Sequence, residues 1–289
     1  MAHHRALPLG GAGDADPLKT TRALAPALRA CYAGAMRVRA MLALVALAAA
    51  PVAARAGTPL SVAAAASLRG AAEELARAFE AARPGARVAL SFGASGTFFA
   101  QLQNGARFDV FLSADREYPD RLVAGGLAAA ADERVYALGT LVVWLPPGSP
   151  VDIAGKGLAA LASPCVKRIA IANPAVAPFG RAAEAALRRA GVHEAVKDRL
   201  VLGTSVGQAA HFASTGAADA ALLPRSLTGE GELAHGTVVP LSPALAPPIE
   251  QSALVLSGAR EPALARAFLA FLAGDRARAI LARYGYRLP

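Results

Sequence analysis

From position 60 onward the apolar residues follow two alternating rhythms, short unbroken runs and stripes spaced three and four apart. Residues 60–66 (LSVAAAA) form a run of the length and bulk of a short buried strand. Leu68, Ala71, Ala72, Leu75, Ala78 and Phe79 then share one helical face, and Arg83-Pro84-Gly85 stops that helix. Residues 86–92 read as a second strand. After 93–96 a short helix carries Phe98, Phe99 and Leu102, Asn104-Gly105 turns the chain, and 110–113 is a third strand. This β-α-β-α-β order predicts a mostly parallel sheet with helices on both faces.

The same grammar returns further along. Residues 141–145 (LVVWL) form a strand ended by Pro146-Pro147-Gly148. Strand, helix, strand, helix and strand follow at 168–172, 180–190, 201–202, 206–214 and 220–223. A proline-rich stretch, 243–248, leads to a last strand at 252–256. Two terminal helices then carry Leu264, Phe268, Phe271 and Leu272, and Ile280, Leu281 and Tyr284. The alternation breaks after Tyr136 and the chain shows no internal repeat. Two linked α/β lobes are expected, one from 57–137 plus 252–289 and the other from 138–251.

The first 56 residues read differently. Arg37 and Arg39 precede an apolar run at 41–54, and Ala54-Arg55-Ala56 ends it with small residues at signal-peptidase spacing. The run is short for a membrane span, so 36–56 is expected to be a cleaved secretory signal, with Met36 as the start and 1–35 as an upstream extension outside the fold. This reading changes the charge balance. The whole chain of 289 residues carries a formal +9, but seven of its basic and two of its acidic residues lie in 1–56, which leaves +4 for the exported part. Only short basic pairs such as Arg188-Arg189 and Lys167-Arg168 remain, too sparse for a nucleic-acid surface. Of the two cysteines, Cys31 falls in the upstream extension and Cys165 stands alone, so neither an internal disulfide nor a cysteine metal site is expected.

Candidate chemistry collects where strands hand over to helices. Ala65-Ala66-Ser67-Leu68, Gly93-Ala94-Ser95-Gly96-Thr97, the segment 173–180 (NPAVAPFG) and Gly203-Thr204-Ser205-Val206-Gly207 each pass from a strand through small or hydroxyl residues into a helix. Backbone N–H groups at such starts have no intrahelical acceptor and sit at the positive end of the helix dipole, which suits an anion. The plainer reading is that Ser67, Ser95 and Ser205 are N-caps and that Pro174 and Pro178 shape a loop. The motifs carry no carboxylate. A site made only of donors favours a fully ionised dianion over hydrogen phosphate, whose proton needs an acceptor. Asp109 is expected to be structural and Asp115 to cap or turn. Arg181 and Arg225 adjoin the junctions and would be the clamp for an organic carboxylate, but both are expected to face solvent. As for enzymes, GASGT has Thr97 where a nucleophile elbow needs Gly. A Ser95–His211–Asp219 triad has no supporting motif, His193 and His235 offer no metal-ligand spacing, and the glycine-rich segments lack a P-loop lysine.

The segments AAAASL (63–68), SFGASGTFFAQL (91–102), FDVFLSAD (108–115), NPAVAPFGRAAEAAL (173–187), GTSVGQAAHFASTGAADAAL (203–222) and RYGY (283–286) together resemble the periplasmic molybdate-binding protein family, over essentially all of 57–289. The resemblance implies the type II periplasmic-binding-protein fold, two doubly wound α/β lobes joined by crossover strands around a ligand cleft. It implies a periplasmic monomer that is not an enzyme, needs no cofactor, and carries molybdate or tungstate to an ABC permease and its ATPase. On the same basis, Ser67 and Ser95 would bind the oxyanion through hydroxyl and backbone N–H, and Phe179 and Val206 through backbone N–H. One departure is plain: some members have a ligand tyrosine eighteen residues after the valine, and Pro224 stands there. Binding of sulfate or another small anion is the nearest alternative, and a serine hydrolase the most remote.

Overall fold

A computed structural model describes residues 58–289; the upstream extension expected at 1–35 and the secretory signal expected at 36–56 lie outside the described residues. The chain begins with β1 (Leu60–Ala65) and a 3-10 turn (Ala66–Leu68) that runs into α1 (Arg69–Ala82). It continues through β2 (Val88–Gly93), α2 (Ser95–Gln103), β3 (Val110–Ser113), α3 (Glu117–Ala124) and β4 (Ala128–Gly139). β5 (Leu141–Leu145), α4 (Ile153–Lys156), β6 (Ile169–Ala172), α5 (Pro178–Arg189), α6 (His193–Val196) and β7 (Leu200–Gly203) come next. The remainder is α7 (Val206–Ser214), β8 (Ala220–Pro224), β9 (Thr237–Pro240), β10 (Ile249–Leu256), α8 (Pro262–Leu272) and α9 (Asp275–Arg283).

These strands build two five-stranded sheets of one design. The first has the order β2-β1-β3-β10-β4 and the second β7-β6-β8-β5-β9. In each, three strands run parallel, and a fourth lies antiparallel between them and the edge. The chain crosses from the first sheet to the second through Thr140 alone and returns through the proline-rich segment between β9 and β10. Parallel strands aligned in this way put their carboxyl ends, and the helix starts that follow, along one rim of each sheet.

The helix formers act as the pattern requires. All six residues of the first predicted stripe are buried. Phe79 meets Phe268 of α8 edge-on, with ring centroids 5.1 Å apart, which joins α1 to α8 on one face of the first sheet. Pro178 and Pro262 open α5 and α8 at positions where a missing N–H costs nothing. Among the described residues no helix is long and apolar enough to cross a membrane.

Several elements differ from the sequence reading. β4 and the short edge strand β9 carry no pattern that marks them, because β4 is largely exposed over its first half and β9 is exposed at both ends, while α3 is amphipathic, burying Tyr118, Pro119 and Leu122, and the sequence reading passes over it. Their strand character comes from long-range pairing, β4 with β10 and β9 with β5. β10 begins at Ile249, three residues before the apolar run, since pairing with β4 extends it toward the crossover. The second strand starts later than expected, at Val88, because Ala86 is held in a turn by Arg83 O (3.0 Å).

Asp109 shows how a buried charge is tolerated here. It is 1% exposed, and its two oxygens accept the N–H groups of Ser61 (2.7 Å) and Arg260 (2.6 Å), which ties β1, β3 and the approach to α8 together. Asp109→Ala would orphan both donors. Urea denaturation should show a loss of about 2–4 kcal/mol of stability, from two charge-assisted bonds and the unsatisfied groups left behind.

Candidate anion-binding site

The helix starts at the rims of the two sheets meet around one narrow cavity. Ser67, Ser95, Phe179 and Val206 all line it, and the rest of its wall is Ala, Gly and Pro. No lining residue carries a charge. The starts of α2, α5 and α7 and the 3-10 turn before α1 thus surround a space without formal cations, each helix start worth roughly half a positive charge.

Ser67 does not cap a helix. The N-cap of α1 is Leu68, and no side chain caps it. Ser67 is 2% exposed and its Oγ has no hydrogen-bond partner. A buried hydroxyl left in that state costs about 1–3 kcal/mol. Its peptide is fixed from behind, since Ser67 O accepts Ser226 Oγ–H (2.7 Å) and Tyr286 Oη–H (2.9 Å). Ser95 is the first residue of α2, after an Ala94 N-cap, and is fully buried. Its Oγ accepts the Ala114 N–H (3.0 Å), which leaves the hydroxyl proton free to donate. Phe179 follows Pro178, so its N–H is the first available from α5, and Val206 opens α7. Ser205, in contrast, is an ordinary N-cap that accepts Gln208 N–H at 3.4 Å.

Close approach of the two halves depends on small residues. Gly96 N–H donates to Val176 O at 2.8 Å, linking the start of α2 to the loop ahead of α5. A Cβ at Gly96 would collide with Tyr118 Oη and lie 2.8 Å from Val176 O. At Gly180 a Cβ would press into the Ala172 carbonyl at the end of β6, so α5 can start this close to the sheet only with glycine there.

Neither arginine behaves as expected. Arg181 does not point to solvent: its guanidinium donates to Tyr118 Oη (3.0 Å) and to Asp115 Oδ2, with Glu117 Oε2 at 3.2 Å. The reason is long-range: folding sets the start of α5 against the acidic end of β3 and the first turn of α3, 63 and 66 residues earlier in the chain. Asp115 sits in the turn ahead of α3, whose N-cap is Arg116 with no side-chain cap; its Oδ1 accepts Ser113 Oγ–H (3.0 Å) and Tyr118 N–H (3.4 Å). Burial raises its pKa above the ordinary carboxylate value against the opposing pull of Ser113 and Arg181. Arg225 is half-buried and folds back onto its own turn, donating to Thr228 Oγ1 (2.8 Å). Neither side chain lines the cavity.

The hydrolase grouping is not assembled. Ser95 Oγ is engaged by Ala114, His211 is exposed on α7, and Asp219 accepts the N–H groups of Lys167 and Arg168, each at 2.8 Å. Among the described residues no three or more His, Cys, Asp or Glu are placed to hold a metal ion. Pro224 ends β8, buried and opposite Leu141, and supplies nothing to the cavity wall. Tyr286 and Ser226 were missed by the sequence reading. Tyr286 belongs to the RYGY segment, but nothing local says that its hydroxyl, pushed up to about 12 by burial, reaches back to Ser67.

Two mixed α/β sheets joined by crossovers, with helix starts converging on one buried uncharged cavity, define a solute-binding protein of the type II periplasmic-binding-protein fold. Residues 60–287 match the model of the bacterial extracellular solute-binding protein family, and the chain belongs to it. It is 36% identical over 230 residues to the molybdate-binding protein ModA of Azotobacter vinelandii, covering 79% of this chain and 90% of that one. It is 37% identical over 204 residues to ModA of Rhodobacter capsulatus, covering 71% and 79%. The solved periplasmic molybdate-binding protein of Azotobacter vinelandii superposes with a TM-score of 0.74 at 35% identity, over 80% of this chain and 99% of that chain.

Gly96→Ala should keep the two halves from meeting. Small-angle scattering of the variant with saturating oxyanion is expected to show a larger radius of gyration than wild type under the same conditions, while its circular dichroism stays unchanged.

Proposed function

We propose that this protein captures molybdate, or tungstate of nearly the same size, between its two lobes and delivers it to an ABC permease and its ATPase. The observation that carries the reading is the Ser67 hydroxyl, buried without a partner in a cavity it shares with Ser95 and the first turns of α5 and α7. The relatives named molybdate-binding protein support the choice of anion. Membership of the two sheets supports two lobes close to 57–137 plus 252–289 and 138–251, with β4 carrying the first lobe on to Gly139 and β10 bringing it back from Ile249.

The chemistry follows from the wall. Each charge-assisted hydrogen bond to the anion is worth about 1.5–3 kcal/mol. Several bonds from pre-placed donors outweigh association costs of roughly 4–15 kcal/mol. Hydrogen phosphate is disfavoured because no carboxylate in the wall accepts its proton. Sulfate is disfavoured because the smaller ion leaves the donors stretched. Pro224 brings no donor, so the hydroxyls of Ser67 and Ser95 carry a larger share of the binding. Charge is neutralised by dipoles alone, and neither a metal nor a cofactor takes part. The protein acts as a monomeric carrier with no catalytic step.

Calorimetry with molybdate, tungstate, sulfate and phosphate tests the reading: the first two should bind alike, and well above the others. Ser67→Ala and Ser95→Ala should each weaken molybdate binding by roughly ten- to a hundredfold, about 1.4–2.8 kcal/mol. The Ser67 variant, having lost only an unpartnered hydroxyl, should be at least as stable as the empty parent. Parent-like affinity in both variants would overturn the site. Export adds a separate expectation, that N-terminal sequencing of the secreted protein begins at Gly57, whereas a retained Met36 would refute cleavage.

A further inference from the structure

Beside the cavity, but outside its wall, one side chain ties the two halves together. Arg181 stands in the first turns of α5, two residues after Phe179. It crosses to the other half to reach Asp115 Oδ2, Tyr118 Oη at 3.0 Å and Glu117 Oε2 at 3.2 Å. Asp115 is held ready for it, because Oδ1 already accepts from Ser113 Oγ and Tyr118 N–H. The residue before Asp115 is Ala114, whose N–H bonds Ser95 Oγ. On the same flank Gly96 N–H bonds Val176 O. The anchor of the arginine and the proposed anion donors are therefore neighbours along the chain on both sides of the gap.

We propose that Arg181 is a closure latch: it makes its acidic partners only when the lobes close, and it sets how long the closed state, and so the bound anion, persists. This rests on the oxyanion-binding reading of the cavity. Three features argue for it. The contacts are between halves, 63 and 66 residues apart in sequence, so lobe separation must break them. Asp115 is only 12% exposed at its side chain, and parting from Arg181 removes the cation paired with it and leaves Glu117 nearby. And the guanidinium does not line the cavity, so it has no means of telling one anion from another.

A latch has a kinetic signature that a ligand contact or a packing residue lacks. In stopped-flow measurements with molybdate, Arg181→Ala should raise the dissociation rate about five- to twentyfold and change the association rate less than about twofold, as expected for loss of a partly buried ion pair. Molybdate and tungstate should weaken by the same factor, so their affinity ratio stays at the wild-type value. The ligand-free unfolding temperature should not move. Asp115→Asn should reproduce the kinetic effect, and the double variant should add little to either. A distance measurement separates this idea from the choice of ligand. With Cys165→Ser as background and spin labels at Gln101→Cys and His211→Cys, both exposed sites, Arg181→Ala should move the ligand-free distance distribution toward the longer, open separations. If wild-type protein binds no oxyanion, the functional reading fails while this distance result still decides the latch. An unchanged dissociation rate and distance distribution, an unequal loss between the two anions, or a matching fall in ligand-free stability would each overturn it.

Discussion

An anion buried without a formal counter-charge needs N–H and O–H donors that nothing else in the protein has claimed. Helix starts are where a folded chain keeps such donors, because the first-turn N–H groups have no acceptor in their own helix. The cavity of this protein is a meeting of such starts. Pro178 ahead of Phe179, the Ala94 cap ahead of Ser95 and the turn holding Ser67 leave donors at the wall, and the Ser67 hydroxyl is left with no partner at all. The residue itself is held in place, since its carbonyl accepts hydrogen bonds from Ser226 and Tyr286.

The sheet order makes the meeting possible. Three parallel strands in each half aim their carboxyl ends at one rim, and the single-residue crossing at Thr140 keeps the rims opposed. Backbone must then approach backbone closely, which explains glycine at 96 and 180, where even a methyl group would meet a carbonyl oxygen. Charges are present nearby but held off the wall. Arg181, Asp115 and Glu117 pair with one another on the flank, so no formal charge lines the cavity.

In the proposed scheme, binding and closing would draw on different residues joined by short pieces of chain. Ser95 communicates with Asp115 through the Ala114 N–H, and Phe179 lies two residues from Arg181. On the other side Ser226 and Tyr286 hold the Ser67 carbonyl. In that scheme a neutral wall would recognise the anion, and charged groups it never touches would retain it.

The sequence by itself determined the elements whose signal is local. The stripe from Leu68 to Phe79, the run at 141–145 and the four strand-to-helix junctions could be read because burial periodicity and capping chemistry repeat over a few residues. The resemblance of its segments carried the candidate quartet of Ser67, Ser95, Phe179 and Val206. What only the tertiary structure decided was everything set by pairing across long separations. β4 and β9 are strands because β10 and β5 lie beside them, not because of their own composition. Arg181 turned inward because an acidic turn 66 residues away faces it, where its helix position alone suggested solvent. Tyr286 reaches Ser67 across 219 residues, a distance over which no periodicity survives. Local pattern fixes where donors are left over, and only the packed fold fixes which of them share a cavity.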